Sequence, residues 1–331
     1  MKILFEHPVP ARLAHGGMQT QIDQTKAALE TLGVEVEYLR WWDEGQSGDV
    51  LHFFGRMSPE LILIAQQKGI RVVLSVLLAA QGARPGWKRW LQRQTTRLMR
   101  AGLPSGLTAA FRWDAYRLAD AAIALTPWEG EILRYLFEVP AEKIHVVPNG
   151  VEAEFFQAAA APRGPWLVCT GTITARKRML ELAEAALLAR TPLWVVGKPY
   201  SESDPYAQRF LNLARQHPDL IRYEGPIQER ADLARVYRQA RGFVLLSENE
   251  SLSLSALEAA ASQCPLLLSD HRWARSAFAA QASYAPVPGS TSATAQALRQ
   301  FYDAAPRLAP PAPPPSWLAV AAQLKGLYES L

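Results

Sequence analysis

Along the chain, short runs of apolar residues alternate with longer stretches in which apolar positions recur every three or four residues. Runs of the first kind suit strands buried on both faces, and stretches of the second kind suit helices with one apolar side. Their alternation predicts parallel sheets with crossover helices. The predicted strands are KILFE, VEVEYL, DVLHFF, RVVLSVL, AAIALT and KIHVVP in the first half, then WLVCTG, PLWVVG, LIRYEG, GFVLLS and PLLLSD in the second. Helical spacing occupies, among other segments, 19–32, 59–68, 178–190, 205–217 and 229–240.

The two series meet at PNGVE, residues 148–152, and the alanine- and proline-rich stretch 158–165 follows with the composition of a linker. A second break, APRLAPPAPPP at 305–315, is too dense in proline to be helical and tethers a last amphipathic segment. The expected organisation is therefore a Rossmann-like domain over 1–150, a second over 151–315, and a terminal helix over 316–331 that can pack back on the first domain. A length of 331 residues suits two domains of ordinary size.

With 49% hydrophobic and 20% charged residues and no apolar run long enough to span a bilayer, the chain reads as soluble and globular, at most attached to a surface. MKILFEHP has no signal-peptide core, and the two cysteines, Cys169 and Cys264, sit in apolar strand-like segments, so a reducing cytoplasm is expected. The net charge of +4 is unevenly spread: eight cations lie between Arg84 and Arg117 against Asp114 alone.

Parallel sheets bind ligands beyond the carboxyl ends of their strands, and helix N-termini attract anions. WLVCTGTITARKRMLEL places Gly171 at a strand end and Arg176, Lys177 and Arg178 at a helix start, which fits either a diphosphate site or a solvated basic helix. In GFVLLSENESLSLSALEAA, Glu250 and Glu258 lie eight positions apart with Ser251, Ser253 and Ser255 between them. A helix starting near Leu252 puts Leu254, Leu257 and Ala261 on the buried face, and Ser251, Ser255 and Glu258 on the exposed one. Two carboxylates so placed could hold a sugar and a ribose, or belong to an ordinary acidic helix. No cluster has metal-ligand spacing, so metal independence is expected.

ENESLSLSALEAA resembles the E-x7-E motif of glycosyltransferase family 4, whose members have the GT-B fold of two Rossmann-like domains facing across a cleft, and the resemblance extends over nearly the whole chain. It implies that Glu250 contacts the donor sugar and Glu258 the ribose, with Ser251, Leu252, Ser253 and Leu254 lining the donor site. TGTITARKRMLEL is similar to the family's diphosphate-binding segment: Lys177 matches its lysine, Arg176 stands beside it, and Thr172 replaces an arginine found in many members. LIRYEGPI resembles the segment that meets the nucleobase, which makes Tyr223, Gly225 and Ile227 base-pocket candidates. AHGGMQ resembles the glycine pair after the first strand, where Gly16 and Gly17 would let the backbone approach the phosphate. Many members have a histidine after the fourth strand of the first domain; here Val76 and Leu77 stand there, and His15 and His52 could approach from neighbouring segments or be structural.

The family implies a retaining hexosyl transfer from a nucleotide diphosphate sugar, a UDP or GDP sugar foremost, to an acceptor hydroxyl, as in cell-envelope polysaccharide, glycolipid or other glycoconjugate synthesis. Glu250, Lys177 and Arg176 are the expected catalytic residues, with no further cofactor. A nucleotide-sugar epimerase or hydrolase and a non-catalytic partner subunit are the alternatives. The first domain would hold the acceptor, which could be a glycan, a lipid-linked or a phosphorylated compound. RPGWKRWLQRQTTRLMRAG, read as a helix, lines up Arg89, Arg93, Arg97 and Arg100, with Trp87, Trp90, Leu91 and Leu98 elsewhere on its circumference. Residues 84–100 thus fit an anionic membrane surface, with peripheral attachment to the cytoplasmic face, or a solvated helix whose apolar side packs on its domain. No nucleic-acid module accompanies the charge, and neither half carries GxGxxG between its first strand and helix.

Overall fold

The structure, a computed structural model, describes residues 1–8, 16–103, 114–157 and 162–331. It divides into two compact units, Met1–Gly150 with Pro315–Leu331, and Val151–Pro314. Each is built on a six-stranded parallel sheet. In the first unit the strands are β1 (Lys2–Glu6), β2 (Glu35–Tyr38), β3 (Val50–Phe54), β4 (Arg71–Ser75), β5 (Ala121–Ala124) and β6 (Ile144–Val146), in the order β2-β1-β3-β4-β5-β6. The second unit has β7 (Leu167–Thr170), β8 (Leu193–Val196), β9 (Ile221–Tyr223), β10 (Gly242–Leu245), β11 (Leu266–Ser269) and β12 (Ser283–Ala285), in the order β12-β11-β10-β7-β8-β9. Both orders reverse direction beside the first strand of their unit, the topology of a doubly wound Rossmann-like sheet.

The predicted strands form because they are covered on both sides: β3, β5, β7, β10 and β11 are buried at every position. β4 stops at Ser75, short of the apolar run that continues to Leu77. β12, Ser-Tyr-Ala, has no apolar run to announce it and exists through its pairing with β11, Leu267 to Ser283 and Leu268 to Tyr284.

The terminal helix, Trp317–Ser330, lies on the helix Gly17–Thr31 of the first unit. Its Ser316 hydroxyl accepts from the Ala319 N–H at 3.2 Å, and Trp317, Val320, Leu324 and Leu327 are buried. Gly150 makes this docking possible, because a Cβ there would sit 2.5 Å from the Trp317 nitrogen. Tyr328 completes the contact: its hydroxyl lies 2.6 Å from His52 Nδ1, while Ser75 Oγ lies 2.6 Å from Nε2. His52 also stacks on Phe54, with centroids 4.3 Å apart, and burial pushes its pKa down to about 3. It is a neutral core histidine, one nitrogen donating and the other accepting.

The basic helix, Gly86–Gly102, faces the opposite way to the expectation that its apolar side packs on the domain. Its arginines turn toward the neighbouring segment of the domain: Arg97, itself still exposed, and Arg100 reach Glu138 at 2.5 and 3.2 Å, Arg93 lies over Tyr135 and Arg89 over Trp128. Trp87, Trp90, Leu91 and Leu98 are left on the outside, with Leu98 72% exposed. The physical reason is the partner: a carboxylate and aromatic faces on and just after the helix Pro127–Phe137 attract guanidinium groups more specifically than alkyl chains. Among the described residues, no helix is long and apolar enough to cross a membrane.

Candidate functional site

In the second unit, β7 and β10 lie side by side, and the chain leaves them in opposite directions across the sheet. A crevice opens beyond the carboxyl ends of such a pair. The loops after β7, β8 and β9 are stitched together beside it. Gly171 donates its N–H to Val196 O at 3.0 Å, Gly197 donates to Gly225 O at 3.1 Å, and the Tyr223 hydroxyl donates to Gly197 O at 3.1 Å. Gly197 is required by close approach, since a Cβ would fall 1.9 Å from Gly171 O. Gly225 is required by conformation, at φ +85°. Tyr223 at the end of β9, and Gly225 and Ile227 in the loop after it, are half-buried, and Gly197 links that loop to Gly171, which the half-buried Thr172 follows.

After Gly171 the chain makes one short turn, Ala175–Lys177, capped by Thr174, and enters the helix Met179–Ala189 through Arg178 in the left-handed region. Arg178 is buried at that corner, so the three adjacent cations do not act together. The other two converge on one atom. Glu250 Oε1 accepts from Lys177 Nζ at 2.5 Å, Arg176 Nη1 at 3.0 Å and Ser247 Oγ at 2.6 Å. Among the described residues, no donor reaches its Oε2. Burial pushes the Glu250 carboxyl up, but Lys177 and Arg176 outweigh it and hold the pKa below the ordinary range. Arg176 also donates to Asn249 O at 2.8 Å and accepts from Glu248 N–H through its own carbonyl, binding the loops after β7 and β10 into one body. The result is an ionised carboxylate beneath two cations.

The helix after this loop is Leu254–Ala261, two residues later than expected. Ser253 is its cap, accepting from Ala256 N–H at 3.4 Å; Leu252 is buried, and Ser251 and Leu254 are half-buried at its mouth. Glu258 does not lie on an exposed face. It is 6% exposed, because Ala256–Ala261 is covered on all sides and polarity along so short a helix carries no phase. Arg230 donates to its Oε1 at 2.5 Å and Tyr237 to its Oε2 at 3.1 Å, while Arg230 also bridges to Glu152 at 2.9 Å. The Tyr237 hydroxyl lies 2.5 Å from Thr170, next to Gly171. Burial dominates the Glu258 carboxyl and, despite Arg230, leaves its pKa raised.

Sequence reading missed Ser247, Arg230, Tyr237, Glu152 and Gly197. Arg230 and Tyr237 belong to a helix, Arg230–Gln239, that looks like any solvated amphipathic segment, and only the fold sets it against Glu258. In the first unit, Gly16 has an extended φ of 170° that any residue adopts, and Gly17 begins the helix Gly17–Thr31, so backbone conformation does not demand this pair. His15 lies outside the described residues.

The sheets and the site define the class: a protein of two Rossmann-like units with the GT-B fold. The chain belongs to the glycosyl transferases: the family model of glycosyl transferases group 1 matches residues 164–304, and a model of the glycosyl transferase 4-like domain matches residues 35–150. It is 34% identical over 170 residues to the D-inositol 3-phosphate glycosyltransferase of Actinosynnema mirum, a match covering 45% of this chain and 40% of that protein. To the mannosylfructose-phosphate synthase of Agrobacterium fabrum it is 27% identical over 179 residues, covering 47% of this chain and 39% of the other. The matches thus span about two fifths of the length of these curated relatives. Among solved structures, the sucrose-phosphate synthase of Thermosynechococcus elongatus superposes with a TM-score of 0.69 at 17% identity, covering 99% of this chain and 98% of that one. Anabaena HepE in complex with UDP-glucose gives 0.63 at 13% identity with both chains covered completely.

Proposed function

We propose that the protein is a retaining glycosyltransferase that moves a hexose-type sugar from a nucleotide diphosphate sugar, a UDP or GDP sugar foremost, to an acceptor hydroxyl on a glycan, lipid-linked or phosphorylated compound. The observation that carries this is Glu250 held ionised by Lys177 and Arg176 at the switch point of the second sheet. Donor diphosphate entering beside Lys177 and Arg176 draws the cations toward its oxygens and frees Glu250 Oε1 to accept from sugar hydroxyls. As the bond from the anomeric carbon to the phosphate oxygen breaks, negative charge grows on the diphosphate, and the same two cations stabilise it. The acceptor oxygen forms the new bond on the face the diphosphate leaves, and its proton passes to the departing phosphate. Glu258 has lone pairs left for ribose hydroxyls beyond those given to Arg230 and Tyr237. Tyr223, Gly225 and Ile227 hold the base, and the chemistry needs no metal.

A thermal-shift screen against UDP, GDP and ADP sugars tests the reading. Saturation at a hundredfold excess over Kd should stabilise the fold by about 2.7 kcal/mol, and Lys177→Ala should abolish the shift. No stabilisation by any of them would overturn it. Product release with and without acceptor, and NMR of the anomeric configuration, separate transfer from an epimerase or hydrolase.

The outward face of the helix Gly86–Gly102 supports a second element of the proposal. Trp87, Trp90, Leu91 and Leu98 lie exposed close to Arg84 and Lys88, a composition that enters the headgroup region of an anionic bilayer and suits work on the cytoplasmic face. Flotation with phosphatidylglycerol vesicles should retain the protein and lose the Trp87→Ala/Trp90→Ala variant.

A further inference from the structure

The loop after β2 presents two adjacent indoles to solvent: Trp41 is 83% exposed and Trp42 66%. Their rings stand perpendicular with centroids 5.5 Å apart. They are not what holds the loop. Arg40 spans Glu37 and Asp43, each at 2.9 Å, and donates its backbone N–H to the Gln46 side chain at 2.7 Å; that side chain in turn donates to Glu37 at 2.8 Å and to Tyr38 O at 3.0 Å. An ion-pair frame fixes the loop, and the tryptophans ride on it. Large apolar side chains left in water on a rigid frame mark a binding surface. The position agrees, since the loop follows the carboxyl end of a parallel strand.

Charge selects the occupant. Residues 35–49 hold Glu35, Glu37, Asp43, Glu44 and Asp49 against Arg40, and Lys2 adds one more cation by pairing with Glu35 and Glu37. An anionic membrane, a nucleic acid or a phosphorylated ligand is repelled here, in contrast to the cationic helix Gly86–Gly102. A cationic partner gains little, because Glu35, Glu37 and Asp43 are already paired. A neutral polyhydroxylated ring fits both features: its C–H face lies on one indole with the other as a wall, and it carries no charge for the acidic loop to repel.

We infer that Trp41 and Trp42 form a carbohydrate subsite that holds a neutral pyranose unit of a glycan acceptor. The inference builds on the glycosyltransferase reading, and narrows the acceptor to a glycan with an uncharged sugar. The test uses the full chain and its Trp41→Ala/Trp42→Ala variant on a printed array of neutral and acidic glycans, with UDP thermal shift and flotation on equal parts phosphatidylcholine and phosphatidylglycerol run beside it. The expected result is binding of neutral glycans by the native chain, weakened at least about tenfold in the variant, with the UDP shift and flotation equal in the two. No retention of the native chain by any neutral glycan, equal retention of both proteins, or loss of flotation in the variant overturns the inference. A native chain that ignores UDP and every nucleotide sugar while binding glycans through these tryptophans would instead sink the glycosyltransferase reading and leave the subsite standing.

Discussion

Glu250 Oε1 accepts from three donors, the Arg176 guanidinium, the Lys177 ammonium and the Ser247 hydroxyl. Its folded pKa lies below the unfolded value of about 4.3. The ionised group therefore contributes stability that is complete above the unfolded value and fades as pH falls through the folded one. Glu250→Gln should lower turnover by about 10²-fold and cost about 1–3 kcal/mol at neutral pH, as Lys177 loses its charged partner; urea titration should show the loss shrinking in acid. Glu258 has the opposite sign. Its folded value is raised, so its contribution to stability falls as pH rises from the unfolded to the folded value, and it takes up a proton in milder acid than a free glutamate. UDP affinity by calorimetry should weaken as pH falls through that window and Glu258 is protonated, and Glu258→Gln should bind weakly with the pH dependence gone. The E-x7-E spacing was legible from residues alone; Arg230, which occupies Glu258, was not, because it comes from another helix with no pattern to mark it.

At the scale of elements, periodicity located the helix Gly86–Gly102 and its arginine stripe but not which side meets the domain. Glu138 and the rings of Trp128 and Tyr135 decided that, and they come from a segment about forty residues away in sequence. The terminal helix shows the same division. Its apolar spacing was plain, whereas its seat on the first unit is set by Gly150, which admits the backbone, and by the Tyr328 hydroxyl on His52. Tyr328→Phe leaves a buried histidine nitrogen unpaired and should lower stability by about 1–3 kcal/mol. Calorimetric unfolding measures this, and UDP binding in the second unit should be unchanged. β12 is the strand that local pattern could not supply, because three residues of mixed polarity become a strand only beside β11.

For the whole molecule, the repeated topology has a direct consequence. Each sheet reverses its strand order beside its own first strand, yet the paired carboxylate and cations stand at the second reversal, after β7 and β10. Hydrogen exchange with UDP present should therefore slow the amides of 171–178 and 248–258, the two loops that Arg176 joins. Equal exchange there with and without UDP would contradict the placement of the site.

The sequence by itself determined two parallel α/β units and the spacing of Glu250 and Glu258 along the chain, because period, turn chemistry and motif spacing are local properties. Tertiary structure alone decided the burial of Glu258 and the partners of the arginine stripe and of His52. Those depend on which side chains from distant segments meet, and burial and charge pairing act through space rather than along the chain.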